Sequence, residues 1–302
     1  MLAAMAPSLV RLFLWVYGGL VVVSLGTRHR RLQGPALAPV RRAVLAWWLP
    51  AGVGGLAVSG GPWAAALLFA AVGVGCLREF LRFWPDERHP VVDGLAAAAI
   101  APIHALACAG ALDLGAGLLL VWAAAVLPLA WSALHGPAGV VTATSRRLLG
   151  LVLCGLGLAH VTAVAASPEG APLLALLLIA VMVGDSFQYF FGKLIGGRRL
   201  APRVSPRKTW SGAIGGVATA ALALALAAPS VLPVSAAVGA LCGALLSAVG
   251  LVGDLLISAI KRDVGVKDSG AVIPGQGGLL DRCDSLLLAA PLFYHAVAPL
   301  LR

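Results

Sequence analysis

Long apolar runs constrain this chain more than any other feature. They fall at about 8–26, 43–60, 62–82, 91–110, 112–134, 148–167, 171–191, 211–229, 233–260 and 284–301, bounded by Pro, Gly and charge clusters. Several reach the roughly 20 residues that an α-helix needs to cross about 30 Å of hydrocarbon, and none alternates like an outer-membrane strand. The chain is therefore expected to be all-α, a polytopic transmembrane helical bundle. Ten runs set the upper count. If the pair around Ser59-Gly60-Gly61-Pro62 forms a re-entrant hairpin, nine or eight runs cross, so about 8–10 spans are expected. Of the 302 residues, 60% are hydrophobic and 11% charged, where soluble domains keep roughly a quarter charged. The first run lacks a small-residue cleavage site and is read as a span, not a removed signal peptide.

The net charge of +10 would suggest nucleic acid in a soluble protein; here it is read by position, and no nucleic-acid partner is expected. With the N-terminus outside, the inner loops hold Arg28, Arg30, Arg31, Arg41 and Arg42, then Arg78, Arg82 and Arg88, then Arg146 and Arg147. Six basic residues follow from Lys193 to Lys208, and Lys261, Arg262, Lys267 and Arg282 complete the inner set. Only Arg11 and Arg302 fall outside. This partition supports ten spans in a cell inner membrane, with the charged 258–284 segment in the cytoplasm. Glu79, Asp93, Asp185 and Asp254 sit at inner span ends, whereas Asp113 and Glu169 lie at the outer face. An ionised side chain within the bilayer costs about 2.5 kcal/mol or more unless paired or hydrated, so these carboxylates point to one inner-face site.

Three pieces converge there. Gly184-Asp185-Ser186 brings a carboxylate and a hydroxyl to the end of the seventh run. The glycine-rich basic stretch 192–212 follows, with Ser205-Pro206-Arg207-Lys208-Thr209 just before the next run. Backbone N–H groups, hydroxyls and cations near a helix N-terminus are the ingredients of a phosphate cradle. On the ninth run, Asp254, Ser258 and Lys261 are spaced by four and three residues and share one helical face. Beyond it, Pro274-Gly275-Gln276-Gly277-Gly278 permits a tight reversal, and Asp281, Arg282 and Asp284 open the last run. Carboxylates beside many cations suit Mg²⁺ and a polyphosphate held together.

The pattern Ser258-x-x-Lys261-Arg262, Lys267-Asp268, Pro274-Gly275-x-Gly277-Gly278-x-x-Asp281-Arg282-x-Asp284 resembles the signature of the phosphatidate cytidylyltransferase family. Asp185-Ser186, Ser205-Pro206-x-Lys208-Thr209 and Gly253-Asp254 also fall where that family has counterparts. The likeness covers about residues 170–302; the first half, about 1–167, matches only as multi-span sequence, with Arg78-Glu79-Phe80 as a weak extra likeness. The whole chain is read as one integral membrane domain whose part from about 168 onward is catalytic. The resemblance implies CTP and phosphatidic acid as substrates, CDP-diacylglycerol and pyrophosphate as products, and Mg²⁺ as cofactor. A second, monovalent cation and a homodimer stay open. Asp254, Asp281 and Asp284 are assigned to metal. Lys208, Ser258, Lys261, Lys267 and Asp281 are the catalytic set, and Asp185, Ser205, Thr209, Arg262, Gln276, Gly277, Gly278 and Arg282 contact substrate.

The family's motif carries His where this chain has Gln276, a side chain that hydrogen-bonds but does not titrate. That difference keeps other readings in view: a CTP-dependent lipid kinase-like enzyme, a catalytically altered or non-catalytic membrane paralogue, or a transporter with a charged inner gate. The remaining polar residues have plainer readings. Arg28–Arg42 and Arg146-Arg147 set topology, His104 and His160 pack the bundle with a hydrogen bond each, and Trp47, Trp48, Trp63, Trp84 and Trp131 face the interface or lipid. No GxxxG is read as a dimer interface. Cys76, Cys108, Cys154, Cys242 and Cys283 lack CxxC or Cys/His spacing, and neither a disulfide nor zinc is expected.

Overall fold

The computed structural model describes residues 7–28, 38–270 and 277–301. Arg30, Arg31, Pro274, Gly275, Gln276 and Arg302 lie outside the described residues, as do the side chains of Arg28, Arg41, Arg42 and Trp47. The expectation of an α-helical membrane protein is met: eight helices among the described residues are long and apolar enough to span a bilayer, and the shorter apolar stretch Leu9–Val22 adds to them.

Helix α1 covers Pro7–Arg28. Helix α2, Ala38–Leu81, joins the two runs around Ser59-Gly60-Gly61-Pro62 in one 44-residue element. Its kink is at Gly61, with φ 80° and ψ −179°, a conformation open to glycine and set just before a proline that cannot donate to the ladder. Two other runs are interrupted as well. The run at 91–110 splits into α3 (Pro90–Ala98) and α4 (Ile100–Cys108). The run at 148–167 becomes α6 (Val140–Gly150), a π-turn over Leu151–Leu156, and α7 (Gly157–Ala166). Helix α5, Leu112–His135, lies between them.

Helix α7 is the centre of the bundle. Every residue from Gly157 to Ala165 is buried, as expected of a helix apolar on all sides. From the second half, α8 (Gly170–Leu194) and α11 (Leu280–Leu292) pack on it, and α9 (Trp210–Val231) and α10 (Ala236–Asp263) pack in turn on them and on each other. Small residues set their spacing, because the apolar effect does little to draw helices together in lipid. A Cβ on Gly239 would press on the Leu224 carbonyl, one on Gly243 on the Ala220 carbonyl, and one on Gly253 would lie 2.5 Å from the Asp284 carbonyl. The Gly239/Gly243 pair is thus used inside the chain, between α9 and α10.

One element departs from the all-α expectation. The basic stretch between α8 and α9 is not a plain loop: it contains an antiparallel hairpin of β1 (Arg199–Ala201) and β2 (Ser205–Thr209), paired Arg199 to Thr209 and Ala201 to Ser205 with an irregularity between. Thr209 then starts α9, its hydroxyl accepting from the Gly212 N–H at 3.1 Å.

Candidate functional site

At the end of the bundle where α8, α9 and α10 meet the hairpin, a cleft of about 510 Å³ opens between carboxylates and cations. Its helical wall carries Asp185, Gln188 and Asp254; its hairpin side carries Arg199, Arg207 and Lys208, with Lys193 at the end of α8. Near the end of β2, Lys208 is partly buried and lines the cleft. Its Nζ lies 2.6 Å from Asp254 Oδ2, and Ser258 donates to Asp254 Oδ1 at 3.2 Å.

The shared face of α10 behaves as its spacing predicts. One turn beyond Ser258, Lys261 donates to Asp281 Oδ1 on α11 at 2.6 Å, with Ser258 and Lys261 both buried. Asp281 Oδ2 accepts from the Ser269 N–H at 2.9 Å and the Gly278 N–H at 3.1 Å. Gly277 makes the turn that delivers the second donor, at φ 88°. Asp284 is buried one turn along α11, where the Ser285 N–H donates to it at 2.8 Å, and Ser285 Oγ reaches Asp185 Oδ1 at 2.9 Å. Asp185, Asp254 and Asp284 lie close enough for their charges to act on one another.

Most expected residues therefore gather at one end of the bundle, in two joined parts. Asp185, Lys208 and Asp254 face the cleft; Lys261, Asp281, Gly277 and Gly278 form the neighbouring ion pair and turn, with Ser258 and Asp284 between. Other expected residues are engaged differently. Thr209 lines the cleft as well, but its hydroxyl caps α9 and meets Ser211 at 2.9 Å. Arg262 bonds the Val204 carbonyl at 3.2 Å and the Val266 carbonyl at 3.3 Å, tying the hairpin to the end of α10. Ser205 sits half-buried in β2, and Lys267 and Arg282 are exposed. Gln276 lies outside the described residues.

Of the four inner-end carboxylates expected at one site, Asp185 and Asp254 share the cleft and Glu79 bonds the Ser269 that Asp281 also holds, but Asp93 does not join them. Asp93 joins a separate network, in which Arg147 donates to its Oδ1 at 2.7 and 3.1 Å and to the Glu87 carbonyl at 2.7 Å. Arg88 also pairs with Asp93, and Arg146 with Glu87. Arg147, read as a topology signal, is 2% exposed and belongs to the core. Trp131, read as an interface or lipid-facing residue, is buried under Arg147 and donates to the Ala138 carbonyl at 2.9 Å. His104 and His160 do pack the bundle, bonded to Thr162 at 2.8 Å and the Leu156 carbonyl at 2.7 Å; His160 also meets His295 at 3.1 Å. Glu79 and Asp281 are linked through Ser269; sequence reasoning placed Glu79 among the inner-face carboxylates, on the signal of an acid inside an apolar run, but gave neither it nor Ser269 a role in the site.

Among the described residues no three His, Cys, Asp or Glu side chains group as a metal cage on their own. The oxygen donors nevertheless fit Mg²⁺, which takes one or two carboxylates and completes its shell with substrate phosphates and water. The ammonium already seated against Asp254 marks this as a place where a cation is stabilised.

A model of the cytidylyltransferase family matches residues 40–300. The chain is 34% identical over 240 residues to YnbB, an uncharacterized protein of Escherichia coli (strain K12), covering 78% of this chain and 69% of that protein. It is 47% identical over 128 residues to a phosphatidate cytidylyltransferase of Brucella abortus biovar 1 (strain 9-941), covering 42% of this chain and 47% of that protein. A phosphatidate cytidylyltransferase of Rickettsia felis is 35% identical over 156 residues, 49% of this chain and 68% of that protein. The match to the Brucella protein thus spans about half the length of that relative.

Proposed function

Because the chain belongs to the cytidylyltransferase family, we propose that this multi-pass membrane protein is a CTP:phosphatidate cytidylyltransferase, forming CDP-diacylglycerol and pyrophosphate. One observation carries the reading furthest: the cleft of about 510 Å³ sets Lys208, Arg199 and Arg207 against Asp185 and Asp254 at the bundle end. A nucleoside triphosphate needs that combination, cations for its phosphates and carboxylates for the divalent ion that travels with it.

In the reaction, a phosphate oxygen of phosphatidic acid forms a bond to the α-phosphorus of CTP, and the bond from that phosphorus to the β-bridging oxygen breaks. The attacking oxygen is already anionic near neutral pH, so the protein needs no general base. Its work is to align the two phosphates and to stabilise charge on the departing pyrophosphate. Lys208 is placed for the triphosphate. Lys261, two turns beyond Asp254 near the end of α10 and held by Asp281, would take an oxygen of the lipid phosphate. Asp254 and Asp284, with Asp185 beside them and Asp281 one turn before Asp284 on α11, would hold Mg²⁺. Bound there, the ion would neutralise phosphate charge and orient the leaving group. The concentration of Lys and Arg at this end supports a cytoplasmic orientation in the cell membrane.

Purified full-length protein is incubated with CTP labelled in the cytosine, phosphatidic acid vesicles and Mg²⁺. A labelled CDP-lipid with equimolar pyrophosphate is expected, and EDTA should suppress both. Release of CDP with a more highly phosphorylated lipid would replace this reading with phosphoryl transfer, and absence of any nucleotide turnover would remove it.

A further inference from the structure

Glu79 lies in the last turn of α2, in the half of the chain that resembles the family only weakly; sequence reasoning counted it among the inner-face carboxylates but gave it no role. It is only 2% exposed, yet its carboxylate is bonded to the far end of the chain. Ser269 Oγ donates to Oε2 at 2.8 Å, the Leu279 N–H to Oε1 at 2.9 Å and the Leu280 N–H to Oε2 at 2.9 Å. The last two donors belong to the start of α11, whose first N–H groups have no partner within the helix and whose dipole favours negative charge there.

Asp281 grips the same two places from the other side. Its Oδ2 takes the Ser269 N–H and the Gly278 N–H. Ser269 thus donates its amide to one carboxylate and its hydroxyl to the other. Gly278 fits between them only without a side chain, since a Cβ there would collide with both Ser269 Oγ and Glu79 Oε2. Helix α2 is shaped for this approach too: Gly75, one turn before Glu79 on the same face, would bring a Cβ within 2.6 Å of Leu279. A carboxylate that served only bundle packing would have no reason to spend all three bonds on the two stems of one segment.

We infer that Glu79 is a positioning residue: it clamps Ser269 to the start of α11 and thereby fixes where Asp281 presents Lys261. Its effect on turnover rests on the function proposed above; the clamp itself does not.

The test uses the full-length protein in nanodiscs, comparing the native chain with Glu79→Gln and Glu79→Asp by hydrogen–deuterium exchange, thermal unfolding and steady-state kinetics. Glu79→Gln should raise exchange about tenfold in the peptide covering 266–284 while α8 to α10 keep native exchange. It should lower kcat about tenfold or more with the KM for phosphatidic acid little changed, and Glu79→Asp, which keeps the charge, should recover part of both. Native exchange in 266–284, or a uniform rise in every helix, would overturn the clamp. A local rise with native kcat would overturn the positioning role. If the native protein makes no CDP-lipid, the functional reading fails and the exchange pattern alone decides the clamp. Should Glu79→Gln not accumulate folded, Ser269→Ala removes one bond and no charge, and must give the same local pattern at smaller amplitude.

Discussion

Replacing Lys208 by Met separates two roles that its position allows, ligand of substrate phosphate and counter-ion of Asp254. The pair lies 2.6 Å apart with side chains 18% and 28% exposed. That places it between solvated pairs, worth about 0.2–1 kcal/mol, and buried pairs whose one-sided loss costs about 3–5 kcal/mol, so the expected stability loss is about 1–2 kcal/mol. Asp185 and Asp284 stand near Asp254, so the cation's loss is felt by more than its direct partner. The loss of activity should be larger. A preorganised group aimed at charge developing on phosphate is worth about 3–4 kcal/mol, or about 10²- to 10³-fold in kcat/KM. A double-mutant cycle with Asp254→Asn distinguishes the two. In thermal unfolding, the double variant should regain part of the stability lost by Lys208→Met, because the uncompensated carboxylate is gone. In CDP-lipid formation it should do no better than the single variant. A double variant restored to within about tenfold of native turnover, or a Lys208→Met protein with native kcat/KM, would refute the phosphate-ligand role.

Two further outcomes follow from other parts of the molecule. Arg147→Met should destabilise the protein by about 3 kcal/mol, since it strips a buried partner from Asp93; Asp93→Asn in the same chain should recover part of that loss in thermal unfolding, and additive losses would show that the pair is not coupled. Gln276→His, if the native glutamine serves as a neutral hydrogen-bonding stand-in, should leave turnover at pH 8 within about threefold of native and add an inflection near pH 6.5 to the rate profile; a gain of about a hundredfold would mean that a cation was missing.

The boundary between what could be read in the linear chain and what could not follows the range of the interactions involved. Span-length apolar runs declare a membrane bundle because hydrocarbon thickness is a one-dimensional requirement. The spacing of Asp254, Ser258 and Lys261 declares a shared face because helical periodicity is local, and α10 presents them as that spacing predicts. The motif from Ser258 to Asp284 pointed to phosphate and metal chemistry because those residue types have few other uses in an apolar chain.

The sequence by itself thus determined the class of fold, the end of the bundle that carries charge, and most of the side chains gathered there. Only the tertiary structure decided how the charges pair. It sent Asp93 to Arg147 and away from the cleft, turned part of the basic stretch into a hairpin that aims Lys208 at Asp254, and brought Glu79 to residues about two hundred positions away. Ion pairs and buried hydrogen bonds act over a few ångströms, and which groups come that close depends on how helices cross and where glycine lets backbones meet. Neither is written in the local pattern of a single helix.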